Sequence, residues 1–266
     1  MICRICTNGK GLGNFTVQDR MYVTCPMCRC MFVDPYPARE DNPAFQGAET
    51  VARLEQADEM RRPYFNKRLD RLENRLGGPR KGVRLLEVGC GAGILMQEAG
   101  HRGWMTDAVE LSAEMAARAR VNNPGAKIRT GDIQDLEPQG PGYEALICLD
   151  VLEHVLSPLT MVENCRELLE PGGLLLLQTP NTRSFRARTQ GAKWEMLEPA
   201  QHLNLFSPDA LRVLLTTVGF DILEMTTASG TGREKGAAAW LAGLKESVLG
   251  VLYLGNALVV VARRPH

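Results

Sequence analysis

Between residues 83 and 93 the chain passes from an apolar run into three glycines, Leu85-Leu86-Glu87-Val88-Gly89-Cys90-Gly91-Ala92-Gly93, and few folds accommodate that string. An apolar strand followed at once by GxGxG must turn sharply into a helix. Glycine permits the turn and lets a ligand lie against main-chain N–H groups. Glu110 closes the next apolar run, about 20 residues on, where βαβ units place a carboxylate against a ribose. Dinucleotide enzymes use the same layout, but their GxGxxG spacing differs, and an acid such as Glu87 beside the loop would repel a pyrophosphate.

From residue 83 onward, short apolar runs at 83–88, 105–109, 127–129, 145–149 and 174–178 alternate with helical periods. That alternation predicts an α/β domain, a mostly parallel sheet with helices on both faces. A helix over 159–169 should end at Pro171-Gly172-Gly173. Another should open at Ser207-Pro208, bury Leu211, Leu214 and Leu215, and stop near Gly219. Runs at 220–226 and 257–263 make a final strand pair. Between them Ala237, Trp240, Leu241, Leu244, Val248, Val251 and Leu252 keep helical spacing, which predicts a helical insertion at about 228–255. Ahead of the sheet, 38–79 reads as helical, with Leu54, Met60, Leu69, Leu72 and Leu76 before Gly77-Gly78-Pro79. Pro35-Tyr36-Pro37 punctuates an earlier boundary. The expected organisation is a Cys-rich module at 1–37, a helical lid or linker at 38–80, and an α/β domain at 81–266.

The 266 residues, 44% hydrophobic, suffice for one α/β core with a small addition. Lys plus Arg equals Asp plus Glu at 31 each, so no global field holds a polyanion and a nucleic acid would need a local basic patch. The start of the chain lacks a basic segment followed by an apolar run. The longest apolar stretch, 247–262, falls short of the roughly 20 residues of a membrane span and is split by Gly250, Gly255 and Asn256. A cytoplasmic protein without a membrane span is expected, and the sequence carries no signal for its oligomeric state.

The string LLEVGCGAG resembles the first motif of class I S-adenosylmethionine-dependent methyltransferases. AVELS at 108–112, GDIQDL at 131–136, LICLDVLEHV at 146–155 and LLEPGGLLLLQTPN at 168–181 follow in that family's order, and the likeness covers about 50–266. The resemblance implies a Rossmann-like seven-stranded sheet, mostly parallel with the last strand antiparallel. It implies that Gly89, Gly91 and Gly93 approach the methionine end of S-adenosyl-L-methionine, that Glu110 takes both ribose hydroxyls, and that Asp132 and Ile133 contact adenine. Cys90, Leu111 and Leu149 join the expected cofactor-binding set. Glu87 suits a cationic sulfonium ligand.

Five of the eight cysteines lie within the first thirty residues. Cys3-Arg4-Ile5-Cys6 and Cys25-Pro26-Met27-Cys28 are two CxxC knuckles with 18 residues between them. Four thiolates from two knuckles complete a tetrahedral Zn²⁺ site with no open position, hence a structural one. Bound zinc would supply on the order of 10 kcal/mol of folding free energy to a segment poor in apolar residues. Cys30, two residues on, is an alternative to Cys28, and a redox dithiol is an alternative to zinc. The continuation MFVDPYP resembles the end of zinc ribbons fused to some bacterial methyltransferases. Cys90, Cys148 and Cys165 sit in apolar segments as small hydrophobes.

Open α/β sheets build sites beyond the C-terminal ends of their strands. Asp150, Glu153 and His154 follow one strand and His202 the next. His202 or His154 could act as general base, or all four could converge on a divalent cation such as Mg²⁺ that acidifies an acceptor hydroxyl. The pattern is similar to metal-binding motifs of ubiquinone-pathway O-methyltransferases and, with the later His, to small-RNA terminal 2′-O-methyltransferases. Those have Glu where this chain has Asp150. A third reading gives Glu153 and His154 only a loop-packing role. The segment 181–202, with Arg183, Arg186, Arg188, Lys193 and Trp194, is either an acceptor pocket or a solvated loop. Tyr64 and Phe65 are either a lid over the cofactor or core residues.

The expected activity is methyl transfer to a small-molecule acceptor, an oxygen of a sugar, phenol or natural-product intermediate. An RNA or tRNA methyltransferase that grips nucleic acid with the ribbon is the alternative, and a cofactor-binding scaffold is the non-enzymatic one.

Overall fold

A computed structural model describes residues 2–7, 9–36, 48–137, 140, 142–228 and 253–266. The α/β part is built on β4 (Arg84–Val88), β5 (Met105–Glu110), β6 (Lys127–Thr130), β7 (Tyr143–Leu149), β8 (Leu169–Pro180), β10 (Asp221–Ala228) and β11 (Ala257–Arg263). They form one seven-stranded sheet in the order β10-β11-β8-β7-β4-β5-β6. β4 to β8 run parallel, and β11 runs antiparallel between β8 and β10. Leu85, Leu86, Ala145 to Cys148 and Leu174 to Leu177 are buried, as strands covered on both faces require. Strand order reverses between β4 and β7, so the loops leaving those strands part there and open a crevice.

Helices α3 (Ile94–His101), α4 (Ala113–Asn122), α5 (Pro158–Leu168) and α7 (Pro208–Val218) accompany the sheet. Their starts are chemically marked: the Ser112, Ser157 and Ser207 hydroxyls accept the N–H of Met115, Thr160 and Ala210. Each such cap contributes about 1 kcal/mol. Gly219 ends α7 with φ 87°, a left-handed turn that favours glycine.

Two local expectations shift. Helix α5 stops at Leu168 and the chain enters β8 at once, so Pro171-Gly172-Gly173 lies inside β8 rather than before it. The register slips between Tyr143 and Ala145 opposite that stretch, which absorbs the misfit. The segment ahead of the sheet is two helices, α1 (Ala48–Met60) and α2 (Arg62–Arg75), parted at Arg61, and Pro63 occupies the first turn of α2. Tyr64, Phe65, Leu69 and Leu72 of α2 are buried beside Leu85 and Leu176 of the sheet. The expected insertion at about 228–255 falls largely on residues outside those described, as do residues 37–47.

The N-terminal module is an antiparallel meander of β1 (Leu12–Val17), β2 (Arg20–Thr24) and β3 (Met31–Asp34). Its fourth strand is β9 (Asn204–Leu205), lent by the α/β part, with Met31 opposite Leu205 and Phe32 opposite Asn204. Ile5, Val23 and Phe32 share one buried apolar cluster with Phe206 and Leu211. Helix α6 (Phe185–Gln190), none of whose residues is buried, lies in the chain between β8 and β9.

Candidate active site

The turn after β4 depends on glycine for space. Gly89 has φ 72°, and a Cβ there would lie 2.4 Å from Val151 Cγ2. Gly93 has φ 77° at the cap of α3, and a Cβ there would fall 2.3 Å from Asn123 Nδ2. The loop is tied to β5 from two sides: Gly89 N–H donates to Val109 O at 2.9 Å and Gly91 N–H donates to Glu110 Oε2 at 2.9 Å. The other Glu110 oxygen accepts Ser112 N–H at 2.9 Å.

These groups border a cavity of about 300 Å³, lined also by Glu87, Cys90, Leu111, Asp132, Ile133 and Leu149. Gly93 supports the loop from behind and does not line it. Asp132 caps a short 3-10 turn, Ile133–Asp135, by accepting Gln134 N–H at 3.1 Å, which holds Ile133 buried at the cavity wall. A larger groove of about 1010 Å³, lined by Trp104, Lys127 and Tyr143, lies at the N-terminal ends of the strands, away from where this architecture builds sites.

The cavity is rich in carboxylates. Glu87 Oε2 is buried and has no hydrogen-bond partner among the described residues. Burial, then Asp58 and Glu110, push the Glu87 carboxyl well above the usual range. Burial likewise pushes Asp58 up to about 6, against the pull of Arg61, and raises Glu110. Three acidic side chains thus line one small space, and one buried oxygen among them, Glu87 Oε2, has no hydrogen-bond partner among the described residues.

Asp58, Arg61 and Phe65 enter this wall from α1, the α1–α2 junction and α2, and the sequence reading did not find the first two. No motif surrounds them. Phe65 does line the cavity, whereas Tyr64 packs in the core and donates its hydroxyl to Gln178 Oε1.

Asp150, with φ 56°, is engaged at both oxygens: Arg61 Nη2 donates to Oδ2 at 2.9 Å and Gln178 Nε2 donates to Oδ1 at 2.8 Å. Gln178 Oε1 in turn accepts Arg68 Nε and Nη2 at 3.0 and 2.8 Å. Asp150 therefore fastens α2 to the loop after β7.

Glu153, His154 and His202 come together, each offering one ligand atom within 4.8 Å of the others; Asp150, which lines the cavity with His154, is not in that group. The imidazole centroids of His154 and His202 are 4.9 Å apart. His154 Nδ1 lies 3.0 Å from Gln201 O and His202 Nδ1 lies 2.8 Å from Met196 O. A carbonyl oxygen can only accept, so each ring presents an N–H at Nδ1. Burial, then His202, lower His154 to about 4, so it is neutral at physiological pH. The buried Glu153 carboxylate accepts Thr179 Oγ1–H at 3.0 Å. His154 lines the cavity with Gln201, the neighbour of His202.

In the N-terminal module Cys3, Cys6, Cys25 and Cys28 present sulfurs within 4.8 Å of one another. Cys3 and Cys28 Sγ are 3.5 Å apart, and Cys6 and Cys25 Sγ 3.6 Å apart. Ligands on a zinc tetrahedron with bonds of about 2.3 Å would be separated by about 3.8 Å, so the donor set fits that ion. Cys30 is not among them; its thiol faces Leu205 O at 3.6 Å. In the 181–202 segment, Arg183 pairs with Asp209 at 3.6 Å and Arg186 with Glu195 at 2.8 Å. Trp194 is buried with Tyr22, Val33, Leu197 and Leu205, as packing between module and domain.

A family model described as a methyltransferase domain matches residues 57–225. The ubiquinone biosynthesis O-methyltransferase of Xanthomonas campestris pv. campestris is 31% identical over 170 residues, covering 60% of this chain and 70% of that protein. The enzyme of the same name from Cereibacter sphaeroides is 34% identical over 155 residues, covering 54% and 62%. Among solved structures, an S-adenosylmethionine-dependent methyltransferase from Mesorhizobium loti aligns with TM-score 0.55 at 20% identity, covering 70% of this chain and 93% of that one. A complex between the Haloferax volcanii Trm112 methyltransferase activator and a putative methyltransferase aligns with TM-score 0.62 at 16% identity, covering 81% and 94%. At those identities the likeness establishes the fold. No helix among the described residues is long and apolar enough to cross a membrane.

Proposed function

This chain belongs to the class I S-adenosylmethionine-dependent methyltransferases, and we propose that it methylates an oxygen of a small molecule, a phenol or sugar hydroxyl, in the space between the glycine loop and the His154–His202 pair. The observation that carries the reading is the cavity lined by Asp58, Glu110, His154 and Glu87, whose Oε2 has no hydrogen-bond partner among the described residues. S-adenosylmethionine fits it: Glu87 and Asp58 suit its cationic end, Glu110 its ribose hydroxyls, and Ile133, Leu111 and Leu149 its adenine. Bound there, the cofactor supplies an electrophilic methyl group.

The chain's own contribution is positional and protonic. The glycine loop and Phe65 shape the pocket, and α2, held through Asp150 and Gln178, closes one side of it and excludes water. The His154–His202 pair takes up the proton that the acceptor hydroxyl gives up. A divalent cation on Glu153, His154 and His202 is the second reading, favoured by their convergence and by the carbonyls that orient each Nδ1.

On this reading residues 1–37 form a zinc ribbon held by Cys3, Cys6, Cys25 and Cys28, residues 38–80 a helical lid, and residues 81–266 the catalytic domain. The test is incubation with methyl-labelled cofactor and, separately, a catechol such as 3,4-dihydroxybenzoate and total RNA. Label in a methoxy group of the catechol supports the proposal, and label in RNA alone overturns it.

A further inference from the structure

Besides its apolar packing, the N-terminal module hydrogen-bonds to the two loops that carry the histidines, largely at their backbone groups. Tyr22, fully buried in β2, donates its hydroxyl to the carbonyl of His202 at 2.8 Å. Val33 N–H donates to Leu203 O at 3.0 Å, and the β3–β9 pairing continues the contact through Asn204 and Leu205. Tyr36 donates its hydroxyl to Asn204 Oδ1, while Asn204 Nδ2 donates to Val155 O at 2.7 Å. Arg4 Nη1 reaches Leu156 O at 3.0 Å. From the opposite side Leu203 and Asn204 N–H donate to Glu153 O at 2.7 and 3.0 Å.

The segment behind His202 is thus stitched between the cysteine module and the loop of Glu153 and His154. His202 itself is held at three points: its N–H donates to Glu198 O at 2.7 Å, its Nδ1–H to Met196 O, and its carbonyl accepts from Tyr22. Two of those anchors come from the 181–202 segment itself. The Tyr22 hydroxyl is the one that comes from the cysteine module.

We propose that the cysteine module is a buttress for the acceptor side of the active site, and that Tyr22 is a positioning residue through which it fixes the backbone and ring orientation of His202. The inference rests on the reading that the histidine pair handles the acceptor. It assigns the module a task that needs no contact with the cofactor or with nucleic acid. Burial raises the Tyr22 phenol, so the hydroxyl stays a donor across the physiological range. The ring packs with Val33, Trp194, Leu197 and Leu205, so a phenylalanine keeps the module docked while removing the one hydrogen bond.

The test is Tyr22→Phe in the full chain, read by nitrogen-15 imidazole shifts and amide hydrogen exchange, with S-adenosylhomocysteine affinity as control. The expected result has three parts. The His202 ring-nitrogen shifts change while exposed His101 keeps its spectrum. The Leu203 and Asn204 amides exchange about tenfold faster, the order of one lost hydrogen bond. Affinity for S-adenosylhomocysteine is unchanged. An unaltered His202 signature with unaltered exchange overturns the proposal, as does a fall in S-adenosylhomocysteine affinity in parallel with a lower melting temperature, which would make the hydroxyl a general stabiliser. Should Tyr22→Phe not fold, Tyr36→Phe, which removes the module's hydrogen bond to the Asn204 side chain, is read in the same way. None of these readouts uses an acceptor, so a wrong acceptor class and a wrong buttress give different results.

Discussion

The carboxylate of Glu110 accepts the backbone N–H of Gly91 at 2.9 Å, so the acid closing the second sheet strand is bonded directly to the loop that follows the first. One side chain therefore joins the loop's backbone to an acidic group that lines the cavity. Glu110→Ala should weaken S-adenosylhomocysteine binding about 100-fold, the combined effect of losing charge-assisted hydrogen bonds and loop order. Calorimetric titration of the folded variant measures it, and an affinity within threefold of the unaltered protein, about 0.6 kcal/mol, contradicts the assignment.

Cofactor affinity should depend on pH through Asp58. Its folded pKa is raised from 3.8 to about 6 by burial, so between those values the folded state without ligand binds more protons than the unfolded chain. Stability from this group is accordingly present at low pH and declines as pH rises through about 6. A cationic ligand favours the ionised carboxylate, so binding releases protons and tightens as pH rises through the same window. Titrations in two buffers of different ionisation enthalpy detect the release, and Asp58→Asn should abolish that part of it and raise stability at neutral pH.

Zinc content should discriminate between cysteines. One ion per chain is expected by elemental analysis, retained by Cys30→Ser, whose thiol faces Leu205 O, and lost by Cys28→Ser, whose sulfur lies 3.5 Å from Cys3 Sγ. Chelation should also loosen β9, because β3 pairs with it, and faster amide exchange at Leu205 would report that. Zinc retained by Cys28→Ser and lost by Cys30→Ser would reverse the ligand assignment.

Replacing His154 with Gln should lower turnover by about 10²- to 10⁴-fold, the range for a proton-transfer group, with little change in S-adenosylhomocysteine affinity. Activity that survives exhaustive removal of divalent cations supports the imidazole pair, and activity restored only by added cation supports the metal reading.

Much of the sheet was legible because buried parallel strands are continuous apolar runs: 83–88 and 257–263 were expected within a residue of β4 and β11. Serine and glycine signals marked both ends of α7 for local reasons. The start of β8 was misread because a Pro-Gly-Gly turn signal is local, whereas pairing with Tyr143 is a tertiary fact. The two-residue β9 has no pattern of its own and exists only because β3 offers it an edge. In the site, glycine spacing and the acid at 110 were readable because backbone geometry demands them. Asp58 and Arg61 were not, since a charged residue on a polar helix looks the same whether it faces solvent or a cavity. Asp150 shares the cavity wall with His154, as their nearness in the chain suggests, but its bonds to Arg61 and Gln178 leave it outside the cluster of Glu153, His154 and His202.

Methyl transfer from carbon-13-labelled S-adenosylmethionine, followed by nuclear magnetic resonance of the products formed from a small-molecule extract and from RNA, reads the central claim most directly. A labelled methoxy carbon on a small molecule, abolished by Glu110→Ala and strongly reduced by His154→Gln, is the expected result. Label found only on nitrogen, carbon or RNA, or transfer indifferent to both substitutions, contradicts it.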